Sequence, residues 1–152
     1  MRWGFNLFPA YRGTGARLTY IAHDWREVRV RLPLNWRTRN YVGTIFGGSI
    51  YGAVDPVYMV MLIKLLGSEY VVWDKAAMIR FLRPGRSTLH AHFVIEPGLV
   101  EAIREELTRA PKAERLFRVD LTSEDGTLHA FVEKTIHISR RAATESEVGR
   151  KS

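Results

Sequence analysis

Residues 40–67 read NYVGTIFGGSIYGAVDPVYMVMLIKLLG, and this stretch limits what the chain can become. It opens on a polar amide, Asn40, and a glycine-rich turn, Gly43 and then Gly47–Gly48. From there it is apolar almost throughout, with Asp55 and Lys64 its two formal charges. As a helix from about residue 47 to 66 it runs roughly 30 Å, the width of a small domain. Ile50, Val54, Val57, Met61 and Leu65 share one face by spacings of three and four, while Ala53, Val60, Leu62 and Ile63 cover much of the rest. A helix apolar all round is buried in protein or in lipid. The run is just long enough to cross a bilayer, but Asp55 near its middle costs about 2.5–3.5 kcal/mol on insertion scales. Pro56 and three glycines interrupt it, and no basic cluster flanks one end. The expectation is a helix wrapped by a sheet, not a membrane span. Asp55 then has two readings. It is ion-paired, or bonded to backbone freed by Pro56, whose ring removes an i−4 hydrogen bond; or it does chemistry.

The 152 residues suffice for one domain with a real core. No cysteine occurs, which excludes disulfides, thiolate metal sites and cysteine nucleophiles, and nothing points to secretion. Gly4 and Asn6 break the apolar run of MRWGFNLFPAYRG, so it does not read as a signal peptide. The expected compartment is the cytoplasm. The net charge of +7 favours anionic partners, yet the charges are scattered and concentrate only in the tail at Arg140, Arg141, Arg150 and Lys151. A solvated surface with a loose basic end is a simpler reading than a nucleic-acid patch.

Residues 1–15, with Trp3, Phe5, Leu7, Phe8 and Tyr11 around Pro9, are too aromatic for a free tail. They are expected to pack on the domain as a short helix or irregular arm. Residues 16–34 read as a strand or bent strand pair; 27–32 alternate strictly, which puts one face in the core. Residues 70–82 are rich in strand formers and 87–96 alternate again. With Arg83-Pro84-Gly85-Arg86 as a turn between them, these two runs are expected to form an antiparallel hairpin. Leu99, Ile103 and Leu107 mark a short amphipathic helix over 99–109. Strands follow at 115–123 and 127–140, joined by an Asp-Gly turn. The expected fold is α+β: a curved antiparallel sheet of about five or six strands around one long central helix, occupying 16–140 as a single domain. Residues 141–152 read as a disordered basic tail.

Familiar catalytic motifs fail. Ser49 follows Gly47 but precedes Tyr51, so there is no nucleophile elbow, and neither a Walker A motif nor H-E-x-x-H occurs. His90 and His92 stand two apart on a strand, but no third ligand has fitting spacing; no metal or other cofactor is expected. His129, Glu133 and His137 share a strand face that solvation explains. Asn40, the Gly47–Gly48 turn and Asp55 remain. Free N–H groups at a helix start can hold an oxyanion, a carboxylate can act as base or nucleophile on an acyl carbon, and an amide side chain can hold a water. Gly47 and Asp55 lie roughly 12 Å apart along one helix. Two chains with antiparallel helices could pair the Asp55 of one with the Gly47 of the other, so this chemistry calls for a dimer with shared sites.

Asn40, Phe46-Gly47-Gly48 and Asp55, at these spacings, resemble the signature of the PaaI-like acyl-CoA thioesterases of the hotdog superfamily. IRFLRPG at 79–85 resembles the strand and turn after that family's long helix. The likeness covers about residues 16–139 and is closest to the DUF4442 branch. It implies a hotdog fold and a dimer whose sheets join, often paired into tetramers. It also implies a catalytic carboxylate at Asp55, a water- or substrate-orienting amide at Asn40, and at Gly47 the amide that polarises the thioester carbonyl. Phe46 stands where the family usually has histidine. Phe46, Gly48, Tyr51, Met59 and Trp73 are the candidate lining for substrate, and Arg37, Arg39, Arg83 and Arg86 the candidate contacts for coenzyme A phosphates. The implied partner is a small acyl thioester; the alternative is an acyl-binding protein without turnover.

Overall fold

The computed structural model describes residues 2–142. The chain runs α1 (Arg2–Leu7), α2 (Pro9–Gly13), β1 (Arg17–Ile21), β2 (Glu27–Leu32), α3 (Gly47–Val54), α4 (Val57–Leu66), β3 (Tyr70–Phe81), β4 (Leu89–Val94), α5 (Leu99–Arg109), β5 (Lys112–Thr122) and β6 (Leu128–Arg140). All but the first two residues of the expected tail at 141–152 lie outside the described residues.

The apolar stretch forms two helices rather than one. Pro56 has no N–H to give the Gly52 carbonyl, so the rod breaks after α3 and resumes as α4. Ile50, Ala53, Val54, Val57, Tyr58, Met61, Leu62 and Leu66 are buried, while Ile63 and Lys64 face out. Against them the sheet presents Val28, Val30 and Leu32 of β2, Leu89, Ala91 and Phe93 of β4, Val119 and Leu121 of β5, and Val132, Ile136 and Ile138 of β6. Burial of each large aliphatic side chain contributes about 1.5–3 kcal/mol, which accounts for the helix's length and apolarity without a membrane.

The six strands form one antiparallel sheet in the order β1-β2-β4-β5-β6-β3. This is the curved sheet around a helix that defines the hotdog fold. One expectation fails: β3 and β4 are not a hairpin. The long β3 pairs along its length with the long β6, from Tyr70↔Arg140 to Phe81↔Ala130, while the short β4 matches β2, from Glu27↔Val94 to Leu32↔Leu89. The Arg83–Arg86 turn docks on the loop before α3 instead, where the Ile45 N–H donates to the Gly85 carbonyl (2.9 Å).

Between β4 and β5 the register holds at His90↔Thr122 and Ala91↔Leu121 and the strands then part. Tyr58 fills the opening. Its ring stacks on Phe117 (4.6 Å) and meets Phe93 edge-on (4.9 Å). Its hydroxyl donates to the Arg118 carbonyl (3.3 Å) and bonds the backbone of Val94 across the gap. Arg104 of α5 donates to the Leu65 carbonyl (3.0 Å) at the end of α4, where such carbonyls lack helical partners.

The two N-terminal helices are tied down. Asn6 brackets Leu18, donating to its carbonyl (3.1 Å) and accepting from its N–H (2.8 Å). Buried Tyr11 donates to the Ala53 carbonyl (2.9 Å). Between α2 and β1, Gly15 adopts φ +84°, and a Cβ there would lie 2.3 Å from the Thr38 methyl. Thr38 is fully buried, and its hydroxyl donates to the Pro33 carbonyl (2.7 Å) and accepts from the Asn35 N–H (3.0 Å). Gly15→Ala is therefore expected to cost about 2–3 kcal/mol in chemical denaturation, from backbone strain and crowding together; a loss under about 0.5 kcal/mol would show that the turn relaxes freely.

Candidate functional site

Strand β6 alternates between a core face and an outer face. On the core face, after Ala130 and Val132 and before Ile136 and Ile138, stands Lys134, fully buried. A buried ammonium needs partners for its three N–H groups, and the break between α3 and α4 supplies two of them and β3 the third. Nζ donates to Asp55 Oδ1 (2.8 Å), to Asp74 Oδ2 (2.6 Å) and to the Asp55 backbone carbonyl. Asp74 arrives from β3 where the ladder slips between Asp74 and Ala76, with Lys75 as the extra residue. Tyr51, one turn before Asp55, bonds its carboxylate and holds its ring 5.9 Å from Nζ. The ion-paired reading of Asp55 is thus present in the structure. The pair does not seal the carboxylate in, because the Asp55 side chain is 43% exposed while that of Lys134 is 1% exposed.

Burial pushes the Tyr51 hydroxyl up to about 12, with the Asp55 carboxylate adding to the rise, so it remains a donor throughout the neutral range. Burial also raises Asp74 above the usual carboxylate value, partly offset by Lys134. The sign follows. Just above the ordinary aspartate value the folded protein keeps a proton at Asp74 that the unfolded chain has released, so this group's contribution to stability declines as pH rises through that window. Asp74→Asn lacks the titration. Its stability relative to wild type should therefore improve from acid toward neutral pH in parallel urea titrations; a difference that does not change with pH would contradict the raised value.

Asp55 also lines a cavity of about 400 Å³, together with Phe5, Phe8, Ala10, Tyr11, Thr14, Gly52, Pro56, Met59 and Val60. The structure thus brings Asp55, Tyr51 and Met59 together. A second group gathers at the other end of α3. Gly47 and Gly48 begin that helix, no side chain caps it, and its first N–H groups lack helical acceptors. The Phe81 ring lies over Gly47 and the Phe46 ring over Gly48. Asn40 holds the preceding loop closed: Oδ1 accepts from the N–H groups of Val42 (3.1 Å) and Thr44 (3.0 Å), and Nδ2 donates to the Thr44 hydroxyl (2.9 Å). An amide nitrogen has two hydrogens, so one remains beyond the Thr44 bond.

The four arginines come from two loops joined by the Ile45–Gly85 bond. Arg37 lies over the Trp36 ring, Arg83 donates to the Leu128 carbonyl (3.0 Å), and Arg39 and Arg86 are exposed. Trp73 joins neither group. It is on the outer sheet face, 4.9 Å from the His137 ring, because alternation along β3 turns it away from its neighbour Asp74. His92 pairs with Glu27 (2.9 Å).

Sequence reasoning missed Lys134 and Asp74. The signal was the alternation itself: setting His129, Glu133 and His137 on one face of β6 sets Lys134 on the apolar face, and Tyr70, Val72 and Asp74 form the matching row on β3.

The match to a family model covers residues 2–138; the family is described as a domain of unknown function, DUF4442. No curated protein is significantly similar. Among solved structures, a Pseudomonas aeruginosa protein of unknown function, named a probable thioesterase, superposes with TM-score 0.81 at 18% identity, over 92% of this chain and 93% of its own. A thioesterase from Haemophilus influenzae gives TM-score 0.68 at 16% identity, over 90% and 87%. A mutant thioesterase from Pseudomonas aeruginosa gives 0.63 at 16%, over 84% of each chain. At such identities the likeness is one of fold.

Proposed function

This chain belongs to the DUF4442 family, and we propose that it hydrolyses an acyl thioester, with coenzyme A as the thiol and Asp55 as the general base. The observation that carries the proposal is a carboxylate aimed by Lys134 and Tyr51, half open to solvent, in the lining of an apolar cavity. Asp55 takes a proton from water as the water oxygen bonds the acyl carbon. The carbonyl oxygen becomes an oxyanion, held by the Gly47 N–H. Collapse breaks the C–S bond, and the proton passes from Asp55 to the leaving thiolate, giving acid and thiol.

Gly47 and Asp55 sit at opposite ends of α3, so the oxyanion donor comes from a second copy. The dimer we propose joins sheets at β3, which lies at the sheet's end and exposes Ala76, Ala77, Met78 and Phe81. Asn40 orients the water through its second amide hydrogen, and Arg37, Arg39, Arg83 and Arg86 meet the coenzyme's phosphates. The cysteine-free sequence fits a reducing compartment such as the cytoplasm. Free-thiol detection over a panel of acyl-CoA esters tests the reading; no turnover by the wild type, or undiminished turnover by Asp55→Asn, rejects it.

A second reading has its own observation. Phe46 lies over Gly48 and offers no polar group there, and its ring leaves no space for even a Cβ at Gly48 (2.4 Å). The protein would then hold acyl-CoA without cleaving it, and acyl-CoA would raise the melting temperature with no thiol released.

A further inference from the structure

We propose that the groove between the N-terminal helices and the broken central helix is an acyl subsite, taking an apolar chain with its uncharged carbonyl end at Asp55. The proposal deepens the thioesterase reading and rests on it for the identity of the ligand, though not for the binding itself.

The groove's composition sets its ligand. Phe5, Phe8 and Ala10 form one wall, and Pro56, Met59 and Val60 the other. Two further polar side chains are committed elsewhere: the Tyr11 hydroxyl donates to the Ala53 carbonyl (2.9 Å) and the Thr14 hydroxyl to the Tyr11 carbonyl (2.7 Å). Asp55 is thus the lining group left to meet a polar head. At about 400 Å³, the space is at the lower end of the range for small-molecule pockets, roughly 300–1,000 Å³, which suits a chain of medium length.

The N-terminal wall is held in place. Asn6 fastens α1 to Leu18 through two hydrogen bonds, and the Phe5 and Tyr11 rings meet edge-on at 4.8 Å. Where α2 leads on to the helix, Gly52 lets it come close; a Cβ there would stand 2.7 Å from the Thr14 methyl. This close approach lies one turn before Asp55. With the head placed at Asp55, the chain's tail lies along the apolar lining of Phe8 and Met59.

Asp55 also discriminates by charge, because the single ammonium of Lys134 is shared between its carboxylate and that of Asp74. A neutral carbonyl head is tolerated beside Asp55. A carboxylate head of the same chain meets a like charge and is repelled. The subsite thus accepts the thioester and rejects the acid released from it, a form of product expulsion built into the groove.

Calorimetric titration with methyl ketones of increasing chain length tests this without any turnover. Wild type is expected to bind 2-decanone, with affinity rising about fourfold per added methylene until the groove is full. Octanoate should bind at least about tenfold more weakly and gain that factor in Asp55→Asn, which keeps ketone binding. Met59→Trp, filling the groove, should lose 2-decanone affinity by at least about tenfold; Phe8→Ala, at an exposed position that folding tolerates, should weaken the longest ketones selectively. Ketone binding that ignores chain length, or that Met59→Trp and Phe8→Ala leave unchanged, overturns the subsite. The two readings fail separately. Length-dependent ketone binding by a protein that cleaves no thioester removes the hydrolase and keeps the groove, whereas acetyl-CoA turnover without ketone binding does the reverse.

Discussion

Lys134→Met is expected to lower the unfolding free energy by about 3 kcal/mol. Removing one member of a buried ion cluster typically costs about 3–5 kcal/mol, because the charges left behind lose their partner. Here two carboxylates would face each other without the ammonium between them, and the Asp55 carbonyl would lose its donor. The lower end of the range applies because Asp55 is 43% exposed and can recover water; Asp74, at 23%, recovers less. The deficit should shrink in acid. Loss of Lys134 raises the Asp74 value further, so its penalty is present above that value and disappears as pH falls through it. Adding Asp74→Asn to Lys134→Met should restore roughly half the loss at neutral pH, since one of the two facing charges is gone. Chemical denaturation of wild type, the two single variants and the double variant decides; a Lys134→Met variant within about 1 kcal/mol of wild type would mean that the cluster does not tie helix to sheet.

For catalysis the largest effect is expected at Asp55. Asp55→Asn keeps an acceptor for Lys134 and removes the base, so thiol release should fall by about 10²–10⁴, the usual contribution of a positioned general base. The KM should change little, because the amide still fills the same space in the groove's lining. A complementation experiment then examines the shared site. Gly47→Pro deletes the proposed oxyanion donor at the first helical position, which proline tolerates, although its ring must displace the Phe81 side chain, 3.2 Å from a Cβ. If each site takes Asp55 from one protomer and Gly47 from the other, two inactive variants refolded together give half mixed dimers, each with one intact site. About a quarter of wild-type activity should return. Activity that stays at the level of the separate variants would mean that the two residues serve the same site from one chain, or that Gly47 is not the donor.

Most of the fold was legible because alternation and helical spacing are local signals. Strands at 27–32 and 89–94 and the helix Leu99–Arg109 follow from period two and period four. Pairing was less legible. A turn composition at 83–86 says that the chain bends, but strand lengths and a distant loop decided that β3 would lie beside β6. The helix break at Pro56 was written in the sequence, and apolar periodicity concealed it by continuing on both sides. At the site, Asp55 was conspicuous as an acid in an apolar run, and Asn40 and the paired glycines as a polar turn before it. Lys134 and Asp74 were not, since each is one charge in an otherwise ordinary strand. Their importance comes from three segments meeting, 79 residues apart for Lys134 and Asp55, and no local pattern records that meeting. Trp73 shows the reverse error. An aromatic residue near the site in sequence was assigned to it, yet one step along a strand changes which side of the sheet it serves.

The seam between β4 and β5 has a consequence for how the molecule breathes. Two rungs, at His90↔Thr122 and Ala91↔Leu121, join a half made of β1, β2 and β4 to a half made of β5, β6 and β3. Slow thermal opening should begin there, with Tyr58 withdrawing like a bolt, and amides bordering the gap should exchange with solvent before those in the middle of β6. Lys134 and Asp74 both belong to the half made of β5, β6 and β3, with Lys134 opposite Phe117 in the ladder, so their pairing does not cross the seam and the sheet can flex there without parting them.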